Sequence, residues 1–331
     1  MRFRTLFRSI IVLLAGALIV VAVGLYLHEH ALEKPLVIAV IPKTTATDYW
    51  ESMHAGILAA AHQHRITILW NAPQSEADYA AQAQMLEDAI NRKVNAIVLA
   101  PAQEFVLASG VRHAKAVGIP VVIVDSPVAV PPDHYLAYIG SDDASIGRIA
   151  ADRIGSILNG KGEAAIIAVS PTVASSTLRD QAFIAEISRY WPQIKIVDVQ
   201  YGLSNPRRSQ ALTINLLAAH PHLKAIFAVD AFATRGAFAG LMDLHEQRRI
   251  RLVGVAQEVD MLDQVRSGNI DSLVVQDPYQ MGYVAIQILE KQRKGTRRIQ
   301  TRVLLATRGS VDTRAVRLLW SHYSDQSSEH P

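Results

Sequence analysis

Four polar side chains fall directly after short aliphatic runs: Asp125, Asp230, Gln257 and Gln276. A carboxylate at the end of a strand can accept two hydroxyl hydrogen bonds, as carbohydrate recognition requires. Asp125 follows Val121–Val124 and precedes Ser126-Pro127, so an Asx-type turn is the competing reading. Asp230 precedes a helical stretch and could serve as its N-cap. Gln276 precedes Asp277-Pro278, where a connection between lobes could run. Near the start of the chain, Pro42 to Thr47 leads into Asp48-Tyr49-Trp50-Glu51. Asp48 and Glu51 have the spacing of a capping box. Tyr49 and Trp50 then occupy a first helical turn, and neighbouring positions there point in different directions. An aromatic face can pack on the axial C–H groups of a sugar ring, although either residue could simply staple the helix start.

Reactive chemistry is absent from the pattern. There is no Gly-x-Ser-x-Gly elbow and no phosphate-binding loop, and Gly160-Lys161-Gly162 reads as a tight turn. His62 and His64 would lie about 200° apart on a helix, which is poor metal geometry. His28 and His30 read as a solvated collar and His220-Pro221-His222 as a helix stop. With no cysteine, disulfides, thiol nucleophiles and Cys-based zinc sites are excluded. No catalytic residues, metal ligands or cofactor are expected, and carboxylates without a base, metal or nucleophile suit binding better than turnover.

The elements that would position these residues alternate regularly from Leu36. Strands are expected at Leu36–Ile41, Ile66–Trp70, Ala96–Leu99 and Val121–Val124, separated by helices at Asp48–His64, Glu76–Arg92 and Phe105–Val117. A second series has strands at Glu163–Val169, Ile194–Val199, Ala225–Ala228, Arg251–Val255, Ser272–Val275 and Arg302–Ala306. Its helices are expected at Ala144–Asn159, Leu178–Tyr190, Pro206–Ala219, Ala231–Leu244, Val259–Ser267 and Pro278–Lys291. Continuous apolar strands between helices predict parallel sheets covered on both faces. Two such series predict two α/β lobes, and ligands of open parallel sheets bind beyond the carboxyl ends of their strands.

Ile10 to Leu27 is an uncharged apolar run preceded by Arg2, Arg4 and Arg8. Eighteen helical residues rise about 27 Å, close to the hydrocarbon thickness of a bilayer. The arginines predict a cytoplasmic N-terminus, with the rest of the chain outside. Residues 1–30 thus read as a signal anchor or a cleaved signal peptide. A lipid anchor at an N-terminal cysteine is excluded, so attachment would rest on this helix. Half of the 331 residues are hydrophobic, 19% are charged and the net charge is +3. The cations at Lys291, Arg293, Lys294, Arg297 and Arg298 read as a helix end and the loop after it. No basic stretch interleaved with aromatics suggests nucleic acid, and the polar tail 321–331 reads as disordered.

Several segments resemble the type I periplasmic sugar-binding proteins, of the ribose- and galactose-binding kind. They include Val37-Ile38-Ala39-Val40-Ile41 with Tyr49-Trp50 and Gly56, Ala96 to Pro101, and Gly118-Ile119-Pro120 through Asp125. Tyr138 to Asp143 with Gly147, His220-Pro221 through Ala228, and Val275 to Gly282 complete the set. The resemblance spans Leu36 to Gly309. It implies two Rossmann-like lobes joined by three crossovers: 36–141 plus 277–304, and 142–276 plus 305–320. It also implies a ligand-binding set of Thr47, Tyr49, Trp50, Asp125, Arg179, Asp230, Gln257 and Gln276. Thr177, Ala100, Ala256, Ser204 and Pro206 stand where ribose binders carry polar or aromatic contacts, which argues against ribose itself.

The function expected is binding of a small sugar outside the cytoplasmic membrane and delivery to an ABC transporter permease. The alternative is a membrane-anchored sensor that presents its closed form to a histidine kinase. A repressor of the lactose type would need a helix-turn-helix where the apolar run stands.

Overall fold

The computed structural model describes residue 16 and residues 18–22, 35–64, 66–291 and 297–320. The chain divides into two compact units, residues 1–36 and 37–331, and the second contains both expected lobes. Most of the run Ile10–Leu27 and the tail 321–331 lie outside the described residues. Among the described residues no helix is long and apolar enough to cross a membrane.

The first lobe is built from β1 (Leu36–Ile41), α1 (Asp48–Ala61), β2 (Ile66–Trp70), α2 (Tyr79–Asn91), β3 (Ala96–Leu99), α3 (Ala108–Ala116), β4 (Val121–Val124) and β5 (Ala137–Gly140). The second lobe follows as α4 (Asp143–Ile157), β6 (Lys161–Ala168), α5 (Ala174–Tyr190), β7 (Gln193–Tyr201), α6 (Pro206–Ala219), β8 (Leu223–Ala228), α7 (Ala231–Asp243), β9 (Arg251–Val255), α8 (Val259–Ser267) and β10 (Ser272–Gln276). The chain then returns to the first lobe for α9 (Pro278–Glu290) and β11 (Arg297–Gln300), and ends in the second with β12 (Val303–Thr307) and α10 (Arg314–Trp320). The strand orders are β11-β5-β4-β3-β1-β2 and β12-β10-β9-β8-β6-β7.

Both faces of each sheet are buried, which explains why the strands read as unbroken apolar runs. In the first lobe Ile38, Val40, Val98 and Val122 pack with Met53, Ile57, Met281 and Ala285 on one face. Their neighbours Ala39, Ile41, Ile97 and Ile123 pack with Leu86, Ile90 and Val111 on the other. The second sheet repeats this division: Ile166, Phe227 and Val253 face α4 and α5, while Ile167, Ile226 and Leu252 face α6 and α7.

Several boundaries differ from the sequence reading. Asp48 does not cap α1; Thr47 holds that position without a side-chain bond, and the Asp48 carboxylate meets the Val259 backbone instead. Residue 76 is outside a helix, because Asp78 accepts the Ala81 N–H and starts α2 at Tyr79. α3 begins at Ala108 rather than Phe105, since Gln103 Oε1 accepts the Phe105 and Val106 amides in a preceding turn. α5 begins at Ala174, a turn before Leu178. Arg297 and Arg298 lie in an edge strand rather than a loop, paired in parallel with β5, and the Arg298 guanidinium sits 4.9 Å from the Tyr138 ring centroid. β12 runs antiparallel to β10, so the second sheet is not wholly parallel. That strand begins at Val303, inside the segment 277–304 assigned by resemblance to the first lobe. α10 has no counterpart in the sequence reading.

Helix contacts explain two glycines. A Cβ on Gly56 would lie 2.0 Å from the Tyr279 carbonyl oxygen, and one on Gly282 would lie 2.3 Å from that of Met53. Backbone can approach backbone this closely only without side chains, so α1 and α9 are held together by absence of atoms. Gly56→Ala should therefore destabilise the protein by about 1–3 kcal/mol, read from the midpoint of urea unfolding. An unchanged midpoint would mean the helices separate freely.

Candidate functional site

The strands of both sheets end towards one cavity that is partly open to solvent. All eight residues named from the sequence line it: Thr47, Tyr49, Trp50, Asp125, Arg179, Asp230, Gln257 and Gln276. Lys43, Glu76, Ser175, Ser176 and Glu258 line it as well.

The centre of the first-lobe wall is a buried ion pair. Lys43 Nζ lies 2.6 Å from Asp125 Oδ2 and 2.6 Å from Ser126 Oγ, with both charged side chains 7% exposed. Asp125 follows β4 with φ of 64°, in the left-handed region. Aspartate tolerates that conformation better than most residues. The Asx-type turn is therefore not what the carboxylate forms. It instead accepts a 2.7 Å hydrogen bond from the Tyr49 hydroxyl, while its carbonyl accepts one from Tyr138. Burial works to raise the Asp125 pKa, but the Lys43 charge and bond outweigh it and hold the carboxyl below its usual range. For Lys43, burial works downward and Asp125 and Glu76 prevail, keeping the ammonium charged.

Tyr49 and Trp50 do not form a flat pair of platforms. Their rings meet edge to face, 5.0 Å apart at 80°. Trp50 is 3% exposed and belongs to the lobe core, yet its Nε1 donates to Glu76 Oε1 at 3.3 Å. Tyr49 is less buried, with its hydroxyl committed to Asp125.

From the second lobe, Arg179 donates through Nε to Asp143 and through Nη1 to the Val229 carbonyl, each at 2.8 Å. Burial lifts the Asp143 carboxyl to about 6 despite this arginine. Asp230 caps α7, accepting the Ala233 N–H at 2.7 Å, so the N-cap reading and the cavity position hold together. Burial, reinforced by Glu76, lifts its carboxyl to about 7. Gln276 is the last residue of β10, and its Nε2 donates to Ser141 at the first crossover, joining two of the connections between lobes. Gln257 Oε1 faces the Gln276 amide at 3.4 Å. Other contacts bridge the lobes directly: Ser126 Oγ lies 3.0 Å from Ser175 Oγ, and Ser204 donates to Glu76 at 3.2 Å.

Sequence reasoning misses Lys43, Glu76 and Glu258. Lys43 lies two residues beyond β1, where the strand-end rule that finds Asp125 applies equally. Glu76 is obscured by the helical reading of its segment. Glu258 adjoins Gln257 at the start of α8.

Asp143 at about 6, and Asp180 and Asp230 at about 7, hold protons in the folded state that the unfolded chain releases at lower pH. Stability therefore falls as pH rises from the ordinary carboxylate range to about 7. Asp125 acts oppositely, and its contribution is lost on acidification through its lowered pKa. The ligand-free protein should melt highest on the acid side of neutrality and lose several degrees towards about pH 8. Asp180→Asn and Asp230→Asn should flatten that decline in calorimetric scans. A melting temperature that rises over the same range would contradict the assignment.

Residues 38–297 match the family described as periplasmic binding protein domain. The chain is 24% identical over 262 residues to the D-allose-binding periplasmic protein of Escherichia coli strain K12, covering 77% of this chain and 84% of that protein. It is 26% identical over 233 residues to the D-ribose/D-allose-binding protein of Pseudomonas aeruginosa, covering 69% and 72% respectively. The fold superposes on an ABC transporter solute-binding protein from Agrobacterium vitis with bound D-fucose, with a TM-score of 0.83 and 28% identity over 86% of this chain and 99% of that one. A protein from Agrobacterium radiobacter in complex with D-arabinose gives 0.82 and 25%, over 86% and 98%. The matched residues run from β1 into β11, through both lobes and the cavity between them, and the chain thus belongs to the periplasmic binding protein domain family and is a binding protein rather than an enzyme.

Proposed function

We propose that this chain closes its two lobes on a small sugar outside the cytoplasmic membrane and delivers it to an ABC transporter permease. The observation that carries the reading is the cavity at the strand ends, where donors, acceptors and aromatic edges from both lobes converge. The names of the relatives, binders of allose, ribose, fucose and arabinose, support the ligand class. In this reading Tyr49 and Trp50 contact the ring, and Asp125, Arg179, Asp230, Gln257 and Gln276 meet its hydroxyls, with Thr47 at the rim.

The mechanism is a population shift. Open and closed forms interconvert, and a ligand that touches both walls favours the closed one. The Ser126–Ser175 and Ser204–Glu76 contacts are neutral or singly charged, and each contributes only modestly. The ligand therefore supplies the deciding contacts.

The apolar run behind Arg2, Arg4 and Arg8 supports a tether at the outer face of the membrane, within reach of the permease. Mass spectrometry of the mature protein should find residues 10–27 retained. A chain beginning near residue 30 would make the binder freely diffusing.

A thermal-shift screen of pentoses, hexoses and cyclitols should give at least one hit, since a ligand of the folded state raises the melting temperature by mass action. For that hit, Tyr49→Ala and Gln257→Ala should each weaken binding by about tenfold or more while leaving the far-ultraviolet spectrum unchanged. Absence of any hit argues against the sugar reading, and undiminished affinity in both variants argues against the site.

A further inference from the structure

The cavity holds more acids than its own cations offset. Glu76, Asp125, Asp230 and Glu258 line it, and Asp143 stands behind Arg179. Lys43 is paired with Asp125, and Arg179 with Asp143. Among the described residues no ion pair accounts for Glu76, Asp230 or Glu258. Their hydrogen bonds use only part of their capacity. Glu76 accepts from Trp50 and Ser204, Asp230 from the Ala233 amide, and Glu258 Oε2 from the Gln257 amide at 3.1 Å. Glu258 is 5% exposed, and its Oε1 is buried without a hydrogen-bond partner. Such an oxygen is costly unless a donor arrives with the ligand.

Two of the three acids share one wall. Asp230 caps α7 after β8, and Glu258 stands at the N-cap of α8 after β9. β8 and β9 pair in parallel, which places the two strand ends side by side. Burial pushes the carboxyls of Glu76, Asp230 and Glu258 upward and outweighs the more distant charges of Lys43, Arg179 and Arg235, none of which forms an ion pair with them. A neutral polyol can donate hydroxyls to them but brings no positive charge that would favour their ionised forms. A protonated amine brings three donors and the missing charge together.

We propose that the cavity selects a small polyhydroxylated ligand bearing a protonated amine, with its ammonium group seated against Glu258 and Asp230. The assignment rests on the sugar-binding reading and narrows its ligand class to amino sugars. It predicts rejection of acidic sugars, since another carboxylate would join an acid-rich wall.

Isothermal titration calorimetry of the full-length protein in detergent tests it. The probes are D-glucose, D-galactose, D-mannose and any neutral hit of the thermal screen, each compared with its amino-deoxy counterpart and the N-acetyl derivative. At least one amino sugar should bind about tenfold or more tightly than its parent, and acetylation should remove that advantage. In Glu258→Gln the ratio of amino-sugar to neutral-parent affinity should shrink by about tenfold. Asp230→Asn, which keeps an acceptor for the helix cap, should reduce the preference in the same direction. Neutral parents that bind the wild type as well as or better than their amines would overturn the amine assignment and leave sugar binding standing. A preference that survives both substitutions would overturn the placement of the ammonium. No binding by any probe would overturn both readings.

Discussion

The first-lobe wall depends on one buried ion pair. Lys43 and Asp125 come from loops after different strands, and neither could occupy the interior alone, because an isolated buried charge is expensive. Together they fix the loop after β1 against the loop after β4. The left-handed backbone at Asp125 aims its carboxylate at both Lys43 and the Tyr49 hydroxyl. Ser126, the next residue, carries the network on to Ser175 in the second lobe. A pair of this kind adds little net stability over an apolar substitute. Its removal from one side alone would leave an uncompensated charge in the centre of the cavity.

The second wall is built by a different device. Arg179 is held by Asp143 and a carbonyl, while Asp230 and Glu258 sit where two helices begin. Helix N-termini stabilise carboxylates, and these two remain burdened by burial nonetheless. The cavity thus has a first-lobe wall centred on the Lys43–Asp125 pair, with Glu76 beside it, and a second-lobe wall where two helix starts present acceptors. That asymmetry, rather than the count of polar groups, gives the site its chemical character.

Much of this architecture is legible in the amino-acid sequence. Unbroken aliphatic runs such as Val121–Val124 report strands covered on both sides, and the rule that ligands sit beyond strand carboxyl ends leads to Asp125, Asp230, Gln257 and Gln276. Arg179 is reached only through family resemblance, since nothing in its helical surroundings marks it. Local patterns mislead where tertiary partners compete. Asp48 has the spacing of a cap but turns to the other lobe, and Arg297-Arg298 look like a solvated loop but pair as an edge strand. Glu76 is hidden because a polar stretch before a helix carries no periodicity to show where the helix starts. Pairing between Lys43 and Asp125, 82 positions apart, has no trace in spacing at all.

The three crossings of the chain between sheets have a consequence for biosynthesis. The first sheet lacks an edge strand until residues 297–300 exist, and the second lacks one until 303–307. Domains made of one continuous segment can fold in turn as they leave the ribosome. Here neither lobe has its full set of strands until synthesis is nearly finished, so both are completed by the same late stretch. A truncation before residue 297 would therefore strip an edge strand from each sheet at once.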